Sequence, residues 1–173
     1  DVEGDGYRRY AVTDSGVSPR LIPGRSEHLV VADSHEHYED GHINEEADVR
    51  VRMVDKRLRK FDLIKNEFVA PELVGEKEPD LMLVCWGSNR GAAVEAAQMM
   101  NQNGNRASVM HFSQVWPLVP DGFLHMLEGA GEVACIEQNA TGQFARLLFR
   151  ETGFKVDRKV LRYDGRPMTP NHI

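Results

Sequence analysis

Cysteine is scarce in this chain. Its 173 residues include two, Cys85 and Cys135, and no CxxC pair. A cysteine-bound iron–sulfur cluster or zinc site held within the chain is therefore excluded on ligand count and spacing. Both thiols lie in apolar runs that read as buried strands, where cysteine behaves as a small hydrophobe. A reducing cytoplasm is the expected compartment. Long apolar runs are missing too: none approaches the ~20 residues of a bilayer span, and no N-terminal stretch has the pattern of a signal peptide. Positive charge is not in excess. The formal net charge is −6, so nucleic acid is not an expected partner. Neither GxGxxG nor a P-loop lysine motif occurs, and there are no internal repeats or low-complexity tracts. The chain opens at Asp1 without a methionine, and a strand-like segment follows at once. That reads as a piece of a longer protein.

What is present is organised around residues 80–104, DLMLVCWGSNRGAAVEAAQMMNQNG. The unbroken apolar run 81–86 suits a strand covered on both faces, as in a parallel sheet. Gly87-Ser88-Asn89 breaks it, and Ser88 or Asn89 is placed to cap a helix. That helix carries Ala92, Ala93, Val94, Ala96, Ala97, Met99 and Met100. Its small residues let it lie close on a sheet. Asn103-Gly104-Asn105 ends it. A strand over 107–111 then completes a βαβ unit with a right-handed crossover.

Charge divides the chain. Residues 1–76 hold 11 Lys and Arg against 17 Asp and Glu, whereas residues 77–173 hold 10 against 10. The first part reads as an acidic, loop-rich arm and linker, the second as a neutral compact domain. In the arm, residues 7–13 and 29–32 read as strands between turn signals at Asp14-Ser15-Gly16, Ser18-Pro19 and Pro23-Gly24. Residues 34–42, SHEHYEDGH, gather His35, His37 and His42 among carboxylates. Imidazole and carboxylate both ligate zinc or iron. Nothing in the sequence fixes their geometry, so a polar loop bonded to a neighbouring surface is the alternative. Residues 45–61 form the clearest helix, with Ala47, Val51, Val54, Leu58 and Phe61 as an apolar stripe. Its acidic start and basic end suit the helix dipole. Residues 65–70 read as an edge strand stopped by Pro71.

In the compact domain, the loop 112–120 is too apolar for a solvated one: Val115, Trp116, Leu118 and Val119 invite burial. A short helix after Asp121, a buried strand over 133–136, a helix through Arg150 and a strand over 155–161 follow. The pattern β-α-β-α-β-α-β is a three-layer α/β/α fold with a mostly parallel sheet. Ligands in such sheets sit beyond the carboxyl ends of the strands. Those ends carry Trp86-Gly87-Ser88, His111-Phe112-Ser113-Gln114 and Glu137-Gln138-Asn139, with no recognisable triad or paired-carboxylate set. His111 is either a general base or a satisfied strand-end residue. The helix start at Thr141-Gly142 offers N–H groups to an anion, or is capped by the chain itself. Residue pattern alone thus leaves open a free-standing small-molecule or anion-binding module.

Several stretches, in order, carry a resemblance: YRRYAVTDSGVSPRLIPG (7–24), EHYEDGHI (36–43), RMVDKRLRK (52–60), LVCWGSNRG (83–91), HFSQVWPL (111–118), EQNATGQFARLL (137–148) and YDGRPMTP (163–170). The chain resembles the C-terminal part of the alpha subunit of 2-oxoacid:ferredoxin oxidoreductases, the 2-oxoglutarate branch most of all. His35 and Tyr38 depart from the family, which usually has acidic residues there. The resemblance implies a fold like the transketolase C-terminal domain, with an antiparallel edge strand. Residues 1–76 would then be the end of a pyrimidine-binding domain plus a connecting helix, and residues 77–173 the transketolase-like domain. The implied reaction converts a 2-oxoacid, CoA and oxidised ferredoxin to acyl-CoA, CO2 and reduced ferredoxin. Thiamine diphosphate, magnesium and iron–sulfur clusters would serve the whole enzyme, with none held by this chain. Implied partners are a beta subunit, gamma and delta subunits where present, and ferredoxin and CoA at the level of the complex. No catalytic, cofactor or metal residue carries over. What carries over is a motif and subunit-contact surface: Glu36, His37, Asp40, Gly41 and His42 in one loop, Trp116, and Gln138, Asn139, Thr141 and Gln143 in another.

Overall fold

The computed structural model of the protein describes residues 6–32 and 34–173. The chain divides into two compact units between Glu67 and Phe68.

The first unit is built on helix α1, Ala47–Asn66. Its buried face is Val49, Met53 and Lys56, spaced four and three apart as one side of a helix requires. The stripe expected from the sequence is not that face: Val51 is 60% and Leu58 62% exposed. The segment packed on α1 selects its buried side. At Gly16, which has φ of 76°, a Cβ would sit 2.4 Å from the Lys56 carbonyl oxygen and 2.8 Å from the Lys60 nitrogen. The backbone approaches the helix more closely there than any side chain allows. The helix also runs past residue 61, because no Gly or Pro interrupts it before Pro71. The strands expected at 7–13 and 29–32 do not form. Backbone groups in the first segment bond instead to the turn at 36–44: Tyr10 N–H to Glu39 O at 2.9 Å, and Val12 N–H to a Glu39 carboxylate oxygen at 2.9 Å. Around residue 30 no neighbouring strand lies among the described residues, and Leu29 is left 82% exposed.

The second unit is a five-stranded sheet. Its strands are β1 (Glu72–Val74), β2 (Leu81–Trp86), β3 (Ala107–Phe112), β4 (Glu132–Glu137) and β5 (Arg158–Leu161). The spatial order is β1-β3-β2-β4-β5, parallel except for β1, which is antiparallel to β3. The edge strand follows Pro71 rather than preceding it. Residues 65 and 66 still belong to α1, and Pro71, lacking an N–H, can only lead into a strand, not extend one. Residues 68–76 thereby lie with the sheet.

Both faces of the sheet are covered. On one, Met82, Val84, Met110, Phe112, Val133 and Cys135 pack under α3 (Leu124–Glu128) and α4 (Gln143–Thr152). Phe112 meets Phe123 edge-on at 5.0 Å and 87°, an arrangement worth ~0.5–1.5 kcal/mol beyond the area it buries. On the other face, Leu83, Cys85, Val109, Ala134 and Ile136 pack under α2 (Arg90–Gln102) through Ala93, Ala96 and Ala97. Met168 and Ile173 of the C-terminal tail complete that layer. The alternation of Met82 and Val84 with Leu83 and Cys85 between the two faces is the period-two geometry of a strand. Before α2, the capping expected of Ser88 or Asn89 is replaced by a 3-10 turn over Gly87–Asn89, and Asn89 makes no side-chain cap bond. Such a turn lends its own carbonyls to the first helical N–H groups, so no side chain is needed.

Candidate functional site

The carboxyl ends of β2, β3 and β4 are where this architecture places ligands. At β4, Glu137 is fully buried. Its carboxylate accepts the backbone N–H of Phe144 at 2.8 Å and of Ala145 at 3.0 Å, the first turn of α4. It also accepts the Asn139 side-chain amide at 2.7 Å and the Cys135 thiol at 3.4 Å. Burial pushes this carboxyl's pKa up, but those donors outweigh it and hold the group below the ordinary carboxylate range. The Asn139 Oδ1 atom accepts the N–H groups of Thr141 at 3.1 Å, Gly142 at 2.7 Å and Gln143 at 3.2 Å. Gly142, at φ of 65°, lets the chain turn here; a Cβ would meet the Lys159 side chain at 2.9 Å. The α4 N-terminus is thus filled by the chain's own carboxylate. Asn139 is half-buried, Thr141 and Gln143 are exposed, and Gln138 donates from its side-chain amide to the Arg166 carbonyl at 3.1 Å.

At the ends of β2 and β3, His111 Nε2 lies 3.0 Å from the Gly87 carbonyl oxygen, as a satisfied strand-end histidine does. Arg90 grips Glu72 through two bonds of 2.7 and 2.6 Å. The Trp86 indole nitrogen and Asn89 Oδ1 are buried without a partner. Trp116 sits in the loop after β3, 46% exposed, while its neighbours Pro117 and Leu118 are buried. Burial pushes the Cys85 thiol up to about 12 and raises Cys135 as well. Neither is a nucleophile or a ready metal ligand.

The loop containing Glu36 and His42 is a tight turn held on α1. Glu36 accepts from Arg50 at 2.9 Å and from Arg57 at 2.8 and 3.2 Å. The Arg57 guanidinium, with Arg50 beside it, holds the Glu36 pKa down at about 2. His37 is buried and stacks on Tyr10, ring centroids 3.4 Å apart. The Tyr38 hydroxyl donates to Glu46 at 3.1 Å. Asp40 accepts the His42 N–H at 3.0 Å across Gly41, whose φ is 99°, and His42 Nδ1 lies 3.1 Å from the other Asp40 oxygen. Glu36, His37, Asp40, Gly41 and His42 are therefore one structural motif, and Gln138, Asn139, Thr141 and Gln143 another. Among the described residues, no three His, Cys, Asp or Glu side chains converge as a metal site. Sequence reasoning missed Tyr10, Arg50 and Arg57 as partners of the loop. The seven-residue spacing of the two arginines, which puts them on one helix face, was the available signal.

The donors also bear on the groups the resemblance implies. Two buried thiols with raised pKa do not suit a cluster. Among the described residues the one fully buried carboxylate, Glu137, is consumed by four donors and has nothing left for an aminopyrimidine.

Comparison with known proteins gives a consistent result. Residues 72–172 match the family described as "Transketolase, C-terminal domain". The alpha subunit of Aeropyrum pernix 2-oxoacid:ferredoxin oxidoreductase 2 is 34% identical over 165 residues, covering 94% of this chain and 25% of that protein. A Sulfurisphaera tokodaii 2-oxoacid:ferredoxin oxidoreductase alpha subunit is 27% identical over 96% of this chain and 26% of its own length. Among solved structures, the 2-oxoglutarate:ferredoxin oxidoreductase of Magnetococcus marinus, with 2-oxoglutarate, coenzyme A and succinyl-CoA bound, superposes with a TM-score of 0.76. It is 28% identical and covers 98% of this chain and 30% of that one. The chain spans about a quarter of the curated relatives' length.

Proposed function

The chain belongs to the transketolase C-terminal domain family, and from that premise we propose that it is the C-terminal, assembly portion of the alpha subunit of a 2-oxoacid:ferredoxin oxidoreductase. The observation that carries this reading is the extent of the likeness: it runs over 98% of the chain, the unit built on α1 as well as the sheet. The whole enzyme would convert a 2-oxoacid and CoA to acyl-CoA and CO2 while reducing ferredoxin, and the Magnetococcus relative favours 2-oxoglutarate as the acid. Thiamine diphosphate, magnesium and iron–sulfur clusters would supply that chemistry from elsewhere in the assembly. This chain would contribute packing surface. Trp116 and the two turn motifs, Glu36 to His42 and Gln138 to Gln143, would face the rest of the alpha subunit or the beta subunit. An anion-binding module at Thr141-Gly142 is disfavoured, because Glu137 and Asn139 already take the N–H groups such a ligand needs.

The test has two arms. Calorimetric titration of this chain with thiamine diphosphate and magnesium should give no saturable heat. Micromolar binding, or 2-oxoglutarate-dependent CO2 release by this chain alone, would show the domain roles to be wrongly assigned. In the full enzyme, Trp116→Ala should loosen the assembly in sedimentation. Unchanged sedimentation with unchanged thermal stability removes Trp116 from the contact surface.

A further inference from the structure

The acidic first unit holds a pocket of the opposite sign. A cavity of about 440 Å³ lies between α1 and the segment around Tyr10 and Gly16, lined by Arg9, Arg20, Lys56, Arg57 and Lys60 and, among the described residues, by no carboxylate. Lys56 is 6% exposed. Its ammonium donates to the Tyr10 carbonyl at 2.8 Å and lies 5.9 Å from the Tyr10 ring centroid. An ammonium has three donors, and a neutral carbonyl supplies no counter-charge. Arg57 is neutralised by Glu36. Among the described residues, no carboxylate lies at ion-pair distance from Arg9, Arg20, Lys56 or Lys60. Glu39 acts on Lys56 only through space, its carboxylate being held by Arg8 and the Val12 N–H.

Four cations around one cavity repel one another, and a buried one also loses hydration. Burial first, then Lys60 and Arg9, pull the Lys56 pKa down. Such an arrangement is relieved by an anion of more than one charge. We infer that this pocket binds a phosphate-class oxyanion, a phosphoryl or diphosphoryl group, with Lys56 at its floor and Arg9, Arg20 and Lys60 around its mouth. The forked guanidinium groups of Arg9 and Arg20 match the paired oxygens of phosphate. The close approach of Gly16 to α1 brings their segment against the helix. The four cations are not among the groups assigned above to subunit contact, although His37 of that turn also lines the cavity.

The experiment is calorimetric titration of the purified full chain with sodium pyrophosphate, inorganic phosphate and succinate, at about 50 mM salt so that screening does not mask the contact. Pyrophosphate should bind at one saturable site, more tightly than phosphate, with succinate weakest. Arg20 is exposed and has no hydrogen bond to another described residue, so Arg20→Gln should keep the thermal midpoint and weaken pyrophosphate about tenfold. Lys56→Met should abolish saturable binding; if that variant does not fold, Arg20→Gln decides. Arg150→Gln, on α4 in the other unit, should change nothing. No saturable binding of any oxyanion, succinate binding as tightly as pyrophosphate, or equal weakening by Arg20→Gln and Arg150→Gln each overturns the assignment.

Discussion

Replacing Glu137 probes the second unit where it has least slack. The carboxylate accepts two backbone N–H groups of α4 and the Asn139 amide, all within 3.0 Å. In Glu137→Ala the Phe144 and Ala145 N–H groups are left buried and unpaired. Each orphaned group costs ~1–3 kcal/mol, so the variant should lose about 3–5 kcal/mol. Whole domains have only ~5–15 kcal/mol to lose. Glu137→Gln keeps one acceptor oxygen but turns an amide NH2 towards a donor, and should lose about 2 kcal/mol. The pH dependence separates charge from shape. The folded pKa is depressed, so the carboxylate's contribution is fully present above the unfolded value, near ~4.3, and is lost as pH falls through the folded value. The gap between wild type and Glu137→Gln should therefore be widest at neutral pH and close in acid. Urea unfolding followed by tryptophan fluorescence, repeated down the pH scale, measures it. A gap below about 0.5 kcal/mol at neutral pH, the range of an indifferent surface substitution, refutes the reasoning, and so does a gap that stays constant into acid.

Other outcomes follow from the same geometry. Gly16→Ala should destabilise the first unit by more than ~1 kcal/mol, since its Cβ would strike the α1 backbone; wild-type amide exchange in α1 would contradict that. The Glu36 pKa, held down at about 2, means its bonds to Arg50 and Arg57 stabilise fully above the ordinary glutamate value and fade as pH falls towards 2. Glu36→Gln should flatten the acid limb of a thermal-stability profile, and an unaltered limb counts against the pairing. Cys85 and Cys135 should resist a thiol reagent until urea unfolds the sheet, as their burial and raised pKa require; reaction in the native state contradicts both. Limited proteolysis should spare residues 77–173 while cutting before α1, and early cleavage between Leu81 and Glu151 would show that the sheet is not an autonomous core.

The sheet was legible because its signals were local. The run at Leu81–Trp86, the alanines of α2 and the run before Glu137 each state their environment without help from distant residues. Small errors arose where a neighbour decided the matter. Pro71 marks a strand boundary in either direction, and only the pairing of Glu72 with His111 shows which. On α1 two faces carry enough apolar residues to be buried. The loop carrying Gly16 packs on the helix and chooses Val49, Met53 and Lys56, and sequence offers no reason to put a lysine there. Residues 7–13 alternate like a strand, but alternation does not supply a partner. At the site, capping of α4 by the chain itself was one of two readings of the Thr141-Gly142 start, whereas Asn139 and Glu137 as the groups that do it were not readable. A carboxylate that reaches seven residues ahead, from Glu137 to Phe144, belongs to no short motif.

The layer over α2 has a practical consequence. That face of the sheet has one helix, and Met168, buried at 7% exposure, finishes the layer with Ile173 beside it. The last turn, Pro170–His172, lies along α2 rather than trailing from it. An expression boundary drawn before Met168 would strip a wall from the core. In handling this protein, residues 168–173 should be treated as interior, never trimmed as if they were a loose end.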